Sequence, residues 1–189
     1  MEKIKISQLQ NGDIIAVQST GLLPEGIQYF MRMYGRKFYG AKIEKPLNHT
    51  MTVVNTRNVI RVAEAIKEGY VVRPAHEALH WTKYKSNPVV IRPKKPFTSV
   101  ELYRLRKQYL NFAYKNIEYE IFNFVWWMAY IVSKGRWDWS PKNSEKKLFC
   151  FKTSALLWDY ARPGFWENPS KTTTVDMVFS MDVDLFELE

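Results

Sequence analysis

One thiol and three imidazoles set the limits of covalent chemistry in this chain of 189 residues. Cys150 sits in Leu148-Phe149-Cys150-Phe151-Lys152-Thr153-Ser154-Ala155, at the opening turn of a predicted helix. The partial positive charge of a helix N-terminus favours thiolate over thiol, and the thiolate is the form that attacks carbon. Such a nucleophile needs a base within hydrogen-bond reach, and the base needs an acceptor that fixes its tautomer and orientation. His49 opens the apolar run Thr50-Met51-Thr52-Val53-Val54, and Glu64 lies late in the next run, Val59 to Ala65. Strands paired about 4.8 Å apart bring side chains on one face into contact, so a hairpin of these two runs can join His49 to Glu64. The bland alternatives are a buried apolar cysteine, a solvent-exposed strand-end histidine, and a Glu64 that serves Arg61 or Lys67.

A second constellation competes. His76-Glu77-Ala78-Leu79-His80 matches His-x-x-x-His with an internal glutamate, which on a helix places two zinc ligands on one face and Glu77 as general base. Pro74 begins the segment and Ser86-Asn87-Pro88 ends it, so its helix is two or three turns at most. A third ligand has to come from elsewhere, and Glu101 is the nearest downstream candidate.

The elements that must position these groups read as strands first and helices second. Asn11-Gly12-Asp13 is a turn signal that feeds a strand at Ile14-Ile15-Ala16-Val17. Residues Pro24 to Tyr34 carry apolar side chains at helical spacing, and Gly35 and Gly40 bracket a basic loop. The hairpin of Thr50–Val54 and Val59–Ala65 follows, then strands at Tyr70–Arg73 and Asn87–Arg92. Leu102, Leu105, Tyr109, Leu110 and Ala113 mark a helix capped by Thr98 or Ser99, and the Cys150 helix runs to about Ala161 before Arg162-Pro163-Gly164 stops it. The expectation is one α+β domain over 1–189, a small, mostly antiparallel sheet followed by helices.

Composition excludes several classes. Hydrophobic residues at 46% rule out a disordered chain, and one cysteine rules out a disulfide framework. The first residues lack a charged segment followed by an apolar run, so no secretion signal is expected and an intracellular setting is. The longest apolar stretch, Phe124 to Val132, is too short to span a bilayer. It reads as a core helix, with a lipid-facing surface around Trp126 and Trp127 as the sharper alternative. Between Lys83 and Lys115 there are nine Lys or Arg against one acid, Glu101, a candidate contact for an anionic surface; no base-reading nucleic-acid module is evident.

The order Gly12-Asp13-Ile14-Ile15, Asn48-His49-Thr50-Met51-Thr52, Val62-Ala63-Glu64-Ala65, Tyr119-Glu120 and Phe149-Cys150-Phe151-Lys152-Thr153 resembles the circularly permuted NlpC-like (YiiX-like) papain-fold family, related to lecithin:retinol acyltransferase. The resemblance implies a permuted papain-like fold with the nucleophile helix in the C-terminal half, and a cysteine peptidase or amidase. It further implies Cys150 as nucleophile, His49 as base, Glu64 as third member, and Asp13 and Tyr119 at the substrate pocket. Peptide or peptidoglycan amides lead as substrates, lipid acyl groups follow, and no cofactor is called for. Two positions depart from the family pattern: Phe151-Lys152-Thr153 replaces Ser-Glu-Leu, and Glu120 replaces Asp.

Overall fold

The computed structural model describes residues 1–56, 59–79, 84–115, 118–119, 129–130, 133, 136, 147–148 and 150–189. Its centre is a seven-stranded sheet. In chain order the strands are β1 (Glu2–Ile4), β2 (Ile14–Val17), β3 (His49–Thr56), β4 (Val59–Ile66), β5 (Gly69–Pro74), β6 (Val89–Pro93) and β9 (Val183–Leu188), and they lie side by side as β1-β9-β6-β2-β3-β4-β5. Within this sheet only β1 and β9 pair in parallel. Two-residue strands β7 (Glu118–Tyr119) and β8 (Lys147–Leu148) form a separate parallel pair. Among the described residues the α-helices with both ends placed are α1 (Leu22–Tyr39), α2 (Ala75–Ala78), α3 (Ser99–Tyr114), α4 (Cys150–Ala161) and α5 (Thr174–Phe179). Sheet and helices together give the expected mixed α+β architecture.

Strand alternation divides the core in two. Ile14, Ala16, Val54, Ala63, Ala65 and Ile91 face the side packed by α3 and α4, whereas Ile15, Val17, Met51, Val53, Val62 and Val90 face the other. Strand β2 is buried on both sides, which is why its sequence is an unbroken apolar run rather than an alternating one. Thr98 caps α3 as expected, in a capping box with Glu101.

Two expectations need correction. Gly35 does not begin a loop: α1 continues through it to Tyr39, and Gly40 (φ +63°) provides the left-handed cap. The sheet is larger than the first half of the chain supplies, because β9 returns from the C-terminus and inserts between β1 and β6. The helix at His76 is a single turn of four residues. Of the apolar stretch at Phe124 to Val132, only Ala129 and Tyr130 are among the described residues, and no helix of the described residues is long and apolar enough to cross a membrane.

Candidate active site

The site forms where β3 and α4 both begin. Helix α4 lies along β3 with matched spacing: four helical residues rise about 6 Å, and two strand residues rise about 6.6 Å. Residues at i, i+4 and i+8 of the helix therefore meet successive positions of the strand. Cys150 Sγ lies 3.8 Å from the Asn48 carbonyl oxygen, Ser154 Oγ lies 3.1 Å from the hydroxyls of both Thr50 and Thr52, and Trp158 Nε1 donates to the Gly12 carbonyl at 2.6 Å. Gly12 in turn donates to Val53 of β3. These polar links fix the longitudinal position of the cysteine against the strand that carries the histidine.

The loop before His49 is held as firmly. Asn48 accepts through Oδ1 from the Ser19 amide (2.8 Å) and hydroxyl (3.1 Å), and donates through Nδ2 to the Pro24 carbonyl (2.9 Å). Strand pairing then determines what His49 meets. Glu64 stands opposite Met51 on β4, one diagonal step from His49 on the same face, and Arg73 of β5 stands opposite Val62, one diagonal step from Glu64. A diagonal Arg73–Glu64–His49 therefore crosses three strands, within the reach of long side chains.

Glu64 Oε2 meets His49 Nε2 at 2.6 Å, while Oε1 accepts from Arg73 Nε at 2.7 Å and pairs with Nη2 at 2.6 Å. The Glu64 side chain is 1% exposed and that of His49 is 19%, so the carboxylate is sealed in while the imidazole keeps an open edge. With Nε2 committed to Glu64, Nδ1 is the ring nitrogen left over, and Cys150 Sγ lies against the carbonyl of Asn48, the residue just before His49. Burial opposes charge on His49, but Cys150 first and Glu64 second outweigh it and push the imidazole up to about 10. Burial likewise opposes charge on Glu64, yet His49 and then Arg73 hold its carboxyl below the ordinary range. Tyr84 lies beside this pair, donating to the Ala78 carbonyl at 2.8 Å, with its phenol pushed up to about 12 by burial and then by Glu64.

Chemically the groups gathered at this strand end are a thiol at a helix start, an imidazole, and a buried carboxylate bound to that imidazole. The fold has a precedent. Over 96% of this chain and 98% of the other, it matches the crystal structure of metalloprotein yiiX from Escherichia coli O157:H7 (DUF1105), with a TM-score of 0.65 and 15% sequence identity. That likeness is one of fold. No family model matches the chain, and no curated protein does either.

The remaining expected site residues lie elsewhere. Asp13 is 1% exposed and bound by Arg92, four residues and so about 13 Å along β2 from Val17, the partner of His49. It holds the far end of the sheet rather than a pocket at the thiol. Tyr119 belongs to β7, but its side chain, like Glu120 and Phe149, is outside the described residues. Phe151, Lys152 and Thr153 are all buried in the helix packing. His76 is solvent-exposed beside Glu77 (3.8 Å), and His80 is outside the described residues. Glu101, the nominated third ligand, is occupied by Arg162 at 2.7 Å, which pulls its carboxyl down to about 2. Among the described residues, no three His, Cys, Asp or Glu side chains converge as a metal-binding group. Arg73 was absent from the expected site; continuing the strand alternation from Glu64 into the run Tyr70-Val71-Val72-Arg73 is the signal that finds it.

Proposed function

We propose that this chain is a cysteine hydrolase of permuted papain-like type, built as a single domain, that cleaves an amide in a peptide or peptidoglycan stem peptide. The observation that supports the reading is the Glu64–His49 bond, with Glu64 additionally held by Arg73, at the strand end where Cys150 opens α4 against the carbonyl of Asn48, the residue before His49. In the first half-reaction the Cys150 thiolate adds to the carbonyl carbon. His49 then gives its proton to the leaving amine as the C–N bond breaks, leaving a thioester. In the second, His49 takes a proton from water, whose oxygen displaces the sulfur and releases the acid. The backbone N–H groups at the start of α4 are the natural donors to the intermediate oxyanion.

A second reading keeps the same chemistry with a fatty acyl ester or amide as substrate. An apolar cavity of about 230 Å³ favours it, lined by Leu47, Val89, Val175, Val178, Phe179 and Leu185. Leu47 is two residues from His49, so an acyl chain in that cavity lies near the reacting strand end. The solved relative is called a metalloprotein. Here the described part of the His76 segment, one exposed histidine on a single helical turn, does not make a metal donor set, and no step is assigned to a metal.

The test is the rate of Cys150 alkylation by iodoacetamide, followed by intact mass from pH 5 to 9 in wild type and His49→Ala. Labelling that is fast well below the reference thiol pKa of about 8.5 and slow in His49→Ala is the expected result. Slow labelling insensitive to His49 overturns the hydrolase and leaves a binding module.

A further inference from the structure

The far end of α1 carries charge that the hydrolase reading does not use. Arg32 and Arg36 are four residues apart and project from one face of the helix, where like charges repel. Neither has an ion-pair or hydrogen-bond partner among the described residues. Both line a cavity of about 510 Å³, and so does Lys42. The cavity's one carboxylate, Glu44, lies 3.9 Å from Lys42, both side chains being more than three-quarters exposed. Such a pair is weak. Three cations therefore face the space against one acid.

The cavity is a product of the fold rather than an accident of side-chain placement. Gly40 turns the chain at the end of α1, and the amides of Gly40 and Ala41 both return to the Gly35 carbonyl. That brings residues 41–44 back over the last turns of the helix. Ile43 then packs so closely on Gly35 that a Cβ at that position would collide with its side chain. Glycine at 35 is what lets the wall close. Met33 and Ile43 give the cavity apolar lining, and Tyr29, 59% exposed, adds an aromatic ring.

The geometry points to a binding site for a phosphate ester, with the phosphate on Arg32, Arg36 and Lys42 and the organic part against Tyr29, Met33 and Ile43. Two guanidinium forks on one helix face suit the several acceptor oxygens of a phosphate group, and a cavity of this size accommodates a small organic ligand. The ester can reach the site as a soluble molecule or as a lipid headgroup. Ile43 also lines the apolar cavity described above, so a chain running on from the headgroup has an adjoining place to go.

Titration calorimetry of the full chain with pyrophosphate, and co-sedimentation with phosphatidylcholine vesicles with and without phosphatidic acid, test the site. The comparisons are Arg32→Gln/Arg36→Gln and a control with Arg104→Gln/Lys107→Gln on the exposed basic face of α3. Each lost arginine is expected to weaken binding about tenfold, while the control variant binds like wild type and Cys150 alkylation is unchanged in both. Binding of pyrophosphate supports a soluble ester, and binding only to phosphatidic acid vesicles supports a headgroup. Failure of both probes, or binding that Arg32→Gln/Arg36→Gln leaves intact, overturns the proposal. Because alkylation reports separately on the thiol, failure here leaves the hydrolase reading untouched.

Discussion

Asp13 and Glu64 are the same kind of group in the same kind of place, and they do different things. Each carboxylate is 1% exposed and each is held by an arginine on an adjoining strand. Arg92 takes both oxygens of Asp13, Nε to Oδ1 at 2.8 Å and Nη2 to Oδ2 at 2.7 Å, and the Gln10 amide adds another contact to Oδ2. Arg73 instead directs Nε and Nη2 at a single oxygen of Glu64. The other oxygen goes to His49. A buried carboxylate whose two oxygens are both engaged by one guanidinium is a fastener; one that keeps an oxygen for an imidazole can orient a base. The difference lies in how the arginine approaches, not in burial or charge.

The largest expected effect is at the fastener. Asp13→Ala leaves Arg92, whose side chain is 16% exposed, without its carboxylate. Removing one partner of a buried pair costs about 3–5 kcal/mol, which for a chain of this length lowers Tm by about 6–20 °C. The Cys150 alkylation rate of the folded variant, measured below its Tm, is expected to match wild type. A parallel loss of thiol reactivity would erase the distinction between the two pairs.

At the other carboxylate the readout is protonation. In wild type the His49 ring, followed by NMR, is expected to titrate near 10. Cys150→Ser is expected to bring it further toward 6.5 than Glu64→Gln does, because sulfur contributes more to the shift than the carboxylate. The sign for stability follows. A raised imidazole stabilises the fold fully below about pH 6.5, and that contribution fades as pH climbs toward 10. A wild-type ring that titrates near 6.5 would show that His49 is not coupled to the thiol.

Between these lies the link that places the helix. Ser154→Ala leaves the buried Thr50 and Thr52 hydroxyls without their shared partner, at about 1–3 kcal/mol. Because Ser154 is one turn from Cys150, its loss is expected to slow alkylation at pH 7 as well as lower Tm. Ser154→Thr, which restores a hydroxyl, is expected to recover part of both. A fall in Tm with an unchanged alkylation rate would mean that the helix start is positioned without this link.

The parts of the site that share a local rule were legible in the sequence. His49 and Glu64 meet because a hairpin makes parity readable, and the Cys150 helix ends at Arg162-Pro163-Gly164 as its residues dictate. Parts that depend on distant pairing were not. Val183 to Leu188 alternates as an edge or central strand equally well, and nothing local says that it inserts between β1 and β6. Gly35 looks like punctuation in one dimension and is a packing requirement in three, since only the returning Ile43 explains it. Asp13 is placed at the pocket by the family resemblance alone, since an acid after a glycine carries no record of which arginine will claim it. Partner geometry, unlike parity, is set by tertiary packing.

The smallest expected effect sharpens the comparison most. Arg73 is 35% exposed and the buried Glu64 keeps His49 as a partner once it is gone, so Arg73→Met is expected to cost only about 1 kcal/mol. It frees Oε1 of Glu64 while leaving the bond from Oε2 to His49 in place. The Glu64 carboxyl, held below its ordinary range by His49 first and Arg73 second, then rises. Its stabilisation is present above the ordinary carboxyl pKa and is lost as pH falls through the depressed one. In Arg73→Met that loss therefore begins at higher pH, and Tm measured downward from pH 7 should start to fall sooner than in wild type. If the two acid limbs coincide, Arg73 contributes nothing to the charge state of Glu64. His49 alone would then hold the carboxylate, and the leftover oxygen would be a consequence of the base rather than its cause.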